Sequence, residues 1–289
     1  MCIARLAPFT LAPLALTLVA GLAHATAPHA TVTIDDGVGD VYNLSLSSLL
    51  TTTADGAVLM KSLPATGSVI GSDSYGEWMS DTLNGKAAVT WHSWQTVNGQ
   101  GQSAFDAATN PWASKFTFYA SGHGDPDMTY GFVAKNNTNA TQNYSFSYGE
   151  DIDPVYSGAY QLTATFGGSL SNTDGSATVS PLTVGGKIQK LELSTDGVNF
   201  YNAGADAGNA LSASAAGTIT GSDSASATGN AATPLTSWRF ATTFSLTSKK
   251  DVFSFTGTAS LVPEPENRLM LLAGLGVFGL LVARQRRDN

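Results

Sequence analysis

Residues 252–261 read Val-Phe-Ser-Phe-Thr-Gly-Thr-Ala-Ser-Leu, and this decapeptide decides the fold class. Val252, Ser254, Thr256 and Thr258 fall on one side at a period of two, and Phe253, Phe255 and Gly257 on the other. That period belongs to a strand with one wet and one dry face, because successive side chains leave a pleated backbone in opposite directions. The same alternation recurs at residues 115–119, 129–134, 142–148, 159–166, 188–193 and 238–246. Between the runs, Lys135-Asn136-Asn137, Thr173-Asp174-Gly175 and Thr195-Asp196-Gly197 carry the residue types that tight turns need. Only Leu44 to Leu50 offers a short helix in this region. The expectation is an all-β chain with a single β-sandwich domain over residues 26–262.

One segment breaks the pattern. From Ala203 to Ser237, every residue except Leu211, Ile219, Pro234 and Leu235 is Ala, Gly, Ser, Thr, Asn or Asp. Such a stretch has little apolar area to bury, and residues 203–237 read as a long mobile loop or hairpin inside the domain.

Composition narrows the function classes. Of 289 residues only 12% are charged, against roughly 25% in ordinary soluble domains. Residues 26–262 hold nine Lys and Arg against 19 Asp and Glu, a net charge of -10. That balance excludes a duplex nucleic-acid binder, which must neutralise phosphates with clustered cations. The single cysteine, Cys2, lies in a leader-like segment, so the exported part has no thiol for disulfides, thiolate zinc sites or nucleophilic catalysis.

Both ends read as addresses. Arg5 precedes the apolar run Leu11 to Leu22, and Ala23-His24-Ala25 places small residues at the positions signal peptidase reads. Residues 1–25 are therefore a signal peptide cut between Ala25 and Thr26. At the other end Val262-Pro263-Glu264-Pro265 is followed by an apolar helix, Leu269 to Ala283, and then by Arg284, Arg286 and Arg287. Fifteen residues rise only about 22 Å, short of the ~30 Å hydrocarbon core, so the span is strained. The arginines after it put the tail in the cytoplasm and the domain on the periplasmic side of the inner membrane.

This order of Pro-Glu-Pro, short Leu/Gly-rich helix and basic tail resembles the PEP-CTERM sorting signal of Gram-negative bacteria. The resemblance covers residues 262–289 and departs from the pattern only in ending on Asp288-Asn289. It implies recognition by exosortase, transient residence in the inner membrane, and a final place at the cell surface or outside the cell. It also implies bacteria that make exopolysaccharide.

The domain offers three candidate chemistries. Asp125 and Asp127, and Asp151 and Asp153, pair carboxylates beside Pro126 and Pro154, an arrangement that offers oxygens to Ca2+; solvated turns are the preferred reading. Paired carboxylates also serve glycoside hydrolases, a weaker alternative. Trp78, Trp91, Trp94 and Trp112 cluster with Tyr75 and His92; indoles stack on sugar rings, though core packing is the preferred reading. His92 and His123 sit in no nucleophile or zinc motif. The expectation is a non-enzymatic structural or adhesive protein linked to exopolysaccharide or biofilm, with a calcium-assisted carbohydrate-binding module as the alternative.

Overall fold

The alternation of residues 252–261 is realised in space. Phe253, Phe255, Gly257, Ala259 and Leu261 point into the core, while Ser254, Thr256 and Thr258 face outward. The computed structural model describes residues 28–263, except 36, 38–40, 55, 73–74, 94, 98–99, 103–113, 124–126, 139, 174, 184–185 and 248–249. The expected signal peptide, Trp94, Trp112, Asp125 and residues 264–289 lie outside the described residues.

The chain is all-β. Its strands are His29–Asp35 (β1), Val41–Ser45 (β2), Leu50–Thr52 (β3), Val58–Met60 (β4), Val69–Ser72 (β5) and Gly76–Leu83 (β6). Then come Lys86–Ser93 (β7), Gln95–Val97 (β8), Gln100–Gln102 (β9), Ser114–His123 (β10), Asp127–Asn136 (β11) and Gln142–Asn172 (β12). The last six are Ala177–Pro181 (β13), Gln189–Ser194 (β14), Phe200–Asn202 (β15), Leu211–Ala213 (β16), Gly217–Leu246 (β17) and Asp251–Pro263 (β18). The helix expected near Leu44 to Leu50 is one 3-10 turn, Ser47–Leu49.

All but β8 and β9 belong to one hydrogen-bonded sheet, which curls into two packed layers. The curl depends on β12 and β17, which pair along nearly their whole lengths. The first half of β12 joins β1 and the second half of β17; its second half joins β18 and the first half of β17. Between these halves the register shifts around Asp151, Tyr156 and Gly158. Pro154 and Pro234 fall among the unpaired residues there, where a missing N–H costs no ladder bond, and Gly158 supplies the positive φ of 110°. Strands that change layer at a bulge are a known way of making a sandwich corner.

The layers meet through aromatic rings. Tyr130 of β11 lies 4.6 Å from Phe240 and 5.2 Å from Phe146, between ring centroids, and Phe244 lies 5.1 Å from Phe253. The buried Tyr130 hydroxyl donates to Gln189 Oε1 at 2.8 Å and lies 2.8 Å from Thr242 Oγ1. Burial raises the pKa of this phenol and fixes it as a neutral donor.

The expected loop at residues 203–237 is corrected. Residues 217–237 are the first two thirds of β17 and pair almost residue for residue with β12. Thr218, Thr220, Ser222, Ser224, Ser226 and Thr228 face solvent, and Ile219, Gly221, Ala225, Ala227 and Gly229 form the half-covered inner row. The period of two was present, but with Ala and Gly inward the hydropathy contrast was too small to mark it. Even the stretch before it is not free: Ala205, Ala207 and Ala213 are buried.

Candidate functional site

Two features meet at one end of the sandwich: the exit of the chain toward residue 264, and a buried carboxyl. Glu150 follows Tyr144, Phe146 and Tyr148 on the core-facing row of β12, a row that continues to Ile152 beside the layer change. It is 5% exposed. Its cross-strand partner is Trp238 of β17, also buried. The carboxyl reaches across to β10, where a Cβ added to Gly122 would lie 1.9 Å from Glu150 Oε2, so only glycine leaves it room. Gly122, Met128 and Ala259 sit side by side on β10, β11 and β18, which places the carboxyl at the same end as Val262 and Pro263.

The electrostatics follow from this enclosure. Burial raises the pKa of Glu150 from the ordinary 4.5 to about 8, and the nearby charges of Asp127 and Asp151 add to the rise. The Trp238 indole and the Tyr148 hydroxyl offset part of it. Tyr148 donates to Oε2 at 3.4 Å, whereas among the described residues neither Oε1 nor the Trp238 Nε1 has a partner of hydrogen-bonding geometry. The indole thus acts on the carboxyl as a nearby dipole. The raised pKa favours the protonated form of Glu150 near neutral pH, and among the described residues no cation forms an ion pair with it.

On the opposite side of the same strands, Arg239 stacks 4.1 Å over Phe200 and pairs with Glu192 at 2.6 Å. His29 packs against the same ring at 6.0 Å. Burial lowers its pKa first, Arg239 lowers it further, and Asp151 opposes both.

Of the carboxylates singled out from sequence, Asp127, Asp151 and Asp153 are among the described residues. Asp127 begins β11 in an exposed position opposite His123 and Ser260, Asp151 Oδ1 accepts from Ser237 Oγ at 3.0 Å, and Asp153 is exposed in the layer-change bulge. Among the described residues, no group of three or more His, Cys, Asp or Glu is placed to hold a metal ion. Glu150, adjacent in sequence to Asp151, was not picked out; an acidic residue in phase with Tyr144, Phe146 and Tyr148 was the available signal.

Trp91 is fully buried against Phe116 and Tyr42, which corrects its candidacy as a sugar-stacking surface. Trp78 is partly buried and packs edge-on to Phe116 at 5.8 Å. His92 is buried beside Trp91, and burial followed by the charge of Lys115 lowers its pKa to about 4. It is a neutral core histidine at physiological pH.

At the chain exit Pro263, which has no backbone N–H to donate, is nonetheless the last residue of β18, opposite Tyr160 of β12. Among the described residues pairing with β11 stops at Asp127↔Ser260, and Pro263 pairs on the β12 side alone, where a residue without N–H is tolerated at a strand edge.

Residues 261–287 match the family model of the PEP-CTERM protein-sorting motif. These residues carry a PEP-CTERM protein-sorting motif. The match is confined to this segment, and no curated protein matches the chain. Three solved structures are similar to parts of the sandwich. TmCBM61 in complex with β-1,4-galactotriose is 12% identical over 46% of this chain and 71% of its own, with a TM-score of 0.20. The enzymatically active domain of bacteriophage CBA120 tailspike protein 4 is 11% identical over 51% and 19%, with a TM-score of 0.23. The infectious bursal disease virus Gx strain structure is 11% identical over 83% and 54%, with a TM-score of 0.28. Likeness at these scores has no bearing on what the domain does. The sorting motif does: it implies an exported precursor held at the membrane, processed by exosortase and destined for the surface.

Proposed function

We propose that the chain is a non-enzymatic surface or matrix protein of an exopolysaccharide-producing bacterium, secreted through signal peptidase and matured by exosortase. The observation that carries this reading is the sorting motif at residues 261–287, joined without a linker to an all-β domain. Residues 269–283 then hold the precursor in the inner membrane, and Arg284, Arg286 and Arg287 keep it from sliding through. The domain itself is suited to a structural role. Its long strands are hydrogen-bonded end to end, and its acidic net charge keeps it soluble outside the cell.

Contact with polysaccharide is the second reading, and the hydroxyl face of the sheet supports it better than the tryptophans do. Thr163 and Ser260 are 2.7 Å apart, and Thr165 and Thr258 are 2.6 Å apart, forming regular rows that continue onto Ser224 and Ser226 of β17. Such rows offer donors and acceptors at the repeat of a β-sheet, and polysaccharide hydroxyls pair with these groups. Calcium would assist only if Asp125 joined Asp127.

Fractionation of the host tests the main reading. A membrane-held precursor and a lighter surface product are expected, and the triple variant Pro263→Ala, Glu264→Ala, Pro265→Ala should trap the precursor. Normal maturation of that variant would reduce the motif to a spacer. Co-sedimentation of the mature product with host exopolysaccharide tests the second reading.

A further inference from the structure

The end of β18 is held in a graded way. Through Ser260 the strand is paired on both sides, by β11 and by β12. Beyond Ser260, among the described residues, the pairing is with β12 alone, through Leu261↔Leu162, Val262↔Gln161 and Pro263↔Tyr160. Leu261 is 3% exposed and belongs to the core, whereas Val262 is 51% exposed. The first proline of the sorting motif is therefore itself a rung of the folded sheet.

A processing enzyme must take the residues around its scissile bond as free extended chain, and backbone already paired inside a sheet cannot be offered to it. The chain upstream of Glu264 becomes free only when these one-sided rungs open. Strand ends fray most readily where pairing is one-sided and the side chain exposed, as at Val262, the rung before the last one of the strand. Opening one rung further would pull Leu261 out of the core.

We propose that this strand end latches the sorting motif: processing draws on the state in which Val262 and Pro263 have peeled from β12, and Leu261 is the positioning residue that limits the peel. The proposal rests on the exosortase reading above. It means that the folded domain sets the rate of its own release from the membrane, and that the product keeps the whole of β18 up to Leu261.

A disulfide lock tests it. The neighbouring rungs of the same face bring paired hydroxyls to 2.7 Å at Thr163 and Ser260 and to 2.6 Å at Thr165 and Thr258, so cysteines at 161 and 262 are within bridging reach. Cys2 lies in the leader, so the oxidising periplasm offers the new pair no competing partner. In the host, Gln161→Cys/Val262→Cys should form the bridge and mature about tenfold more slowly than either single variant, a factor equivalent to 1.4 kcal/mol. Reductant should restore the rate, and so should four Gly-Ser residues inserted between Val262 and Pro263 of the locked chain. Maturation of the bridged chain at the single-variant rate would overturn the latch, and so would failure of the insertion to rescue. Failure of the bridge to form would overturn it too, by denying the Gln161↔Val262 rung. The triple alanine variant of the motif, run alongside, separates the two levels. Its normal maturation removes the exosortase reading and the latch together; its arrest beside normal maturation of the locked chain removes the latch alone.

Discussion

Replacing Glu150 by glutamine should stabilise the protein, by an amount that grows with pH. The folded state holds the Glu150 proton up to about pH 8, while the unfolded chain loses it near the ordinary 4.5. Between those values the folded state binds one more proton than the unfolded state. Stability is thus full below pH 4.5 and falls as pH rises, by about 1.4 kcal/mol per unit. From pH 5 to pH 7 the wild type should lose about 3 kcal/mol through this one group. Glutamine keeps the size that Gly122 accommodates and has no proton to lose, so Glu150→Gln should be free of that loss. For a domain of this size, about 3 kcal/mol moves the thermal midpoint by about 6 to 12 °C. The assay is thermal unfolding of the mature product and the variant at pH 5, 6 and 7, read as the difference between the two. A difference that stays constant across this range would refute the buried neutral carboxyl.

Gly122→Ala should destabilise by about 1 to 3 kcal/mol, because its methyl group would overlap the Glu150 carboxyl, and Glu150→Ala should relieve most of that cost; additive effects in the double variant would deny the contact. Thermal midpoints measured in calcium and in chelator should coincide unless Asp125 completes a site, since among the described residues no three acidic groups are placed to hold an ion; a site filled at about 100 times its dissociation constant would instead add about 2.7 kcal/mol. N-terminal sequencing of the exported form should give Thr26, and a start at Met1 would remove the signal peptide.

Several features could be read without a fold. The phase of residues 252–261 placed Phe253, Phe255 and Gly257 on the buried face and Ser254, Thr256 and Thr258 on the other, because alternation is a property of the strand alone. Turns at Asn136-Asn137, Gly175 and Gly197 were legible for the same local reason, with Gly175 and Gly197 adopting the positive φ that the turn needs. The sorting motif could be read because its recognition depends on residue order along an extended chain.

What depends on distant partners could not be read. Residues 142–148 and 159–166 looked like two strands, yet they are one strand that changes layer at a bulge, and the bulge exists only because β17 runs alongside. The Ala, Gly, Ser and Thr of residues 217–237 are weak strand formers alone; the ladder to β12 makes them a strand. Trp91 and Trp78 are alike in sequence, but Trp91 is enclosed and Trp78 only partly covered, because burial depends on which strand crosses above. Glu150 shows the limit most clearly. In sequence it is an acidic residue beside Asp151, and only the meeting of Gly122, Tyr148 and Trp238 from three strands made it a buried acid. The sequence by itself determined an all-β chain and the address at its C-terminus. Tertiary structure decided which carboxyl is shut away from water and that the address begins inside the sheet, because both depend on pairings between residues a hundred positions apart.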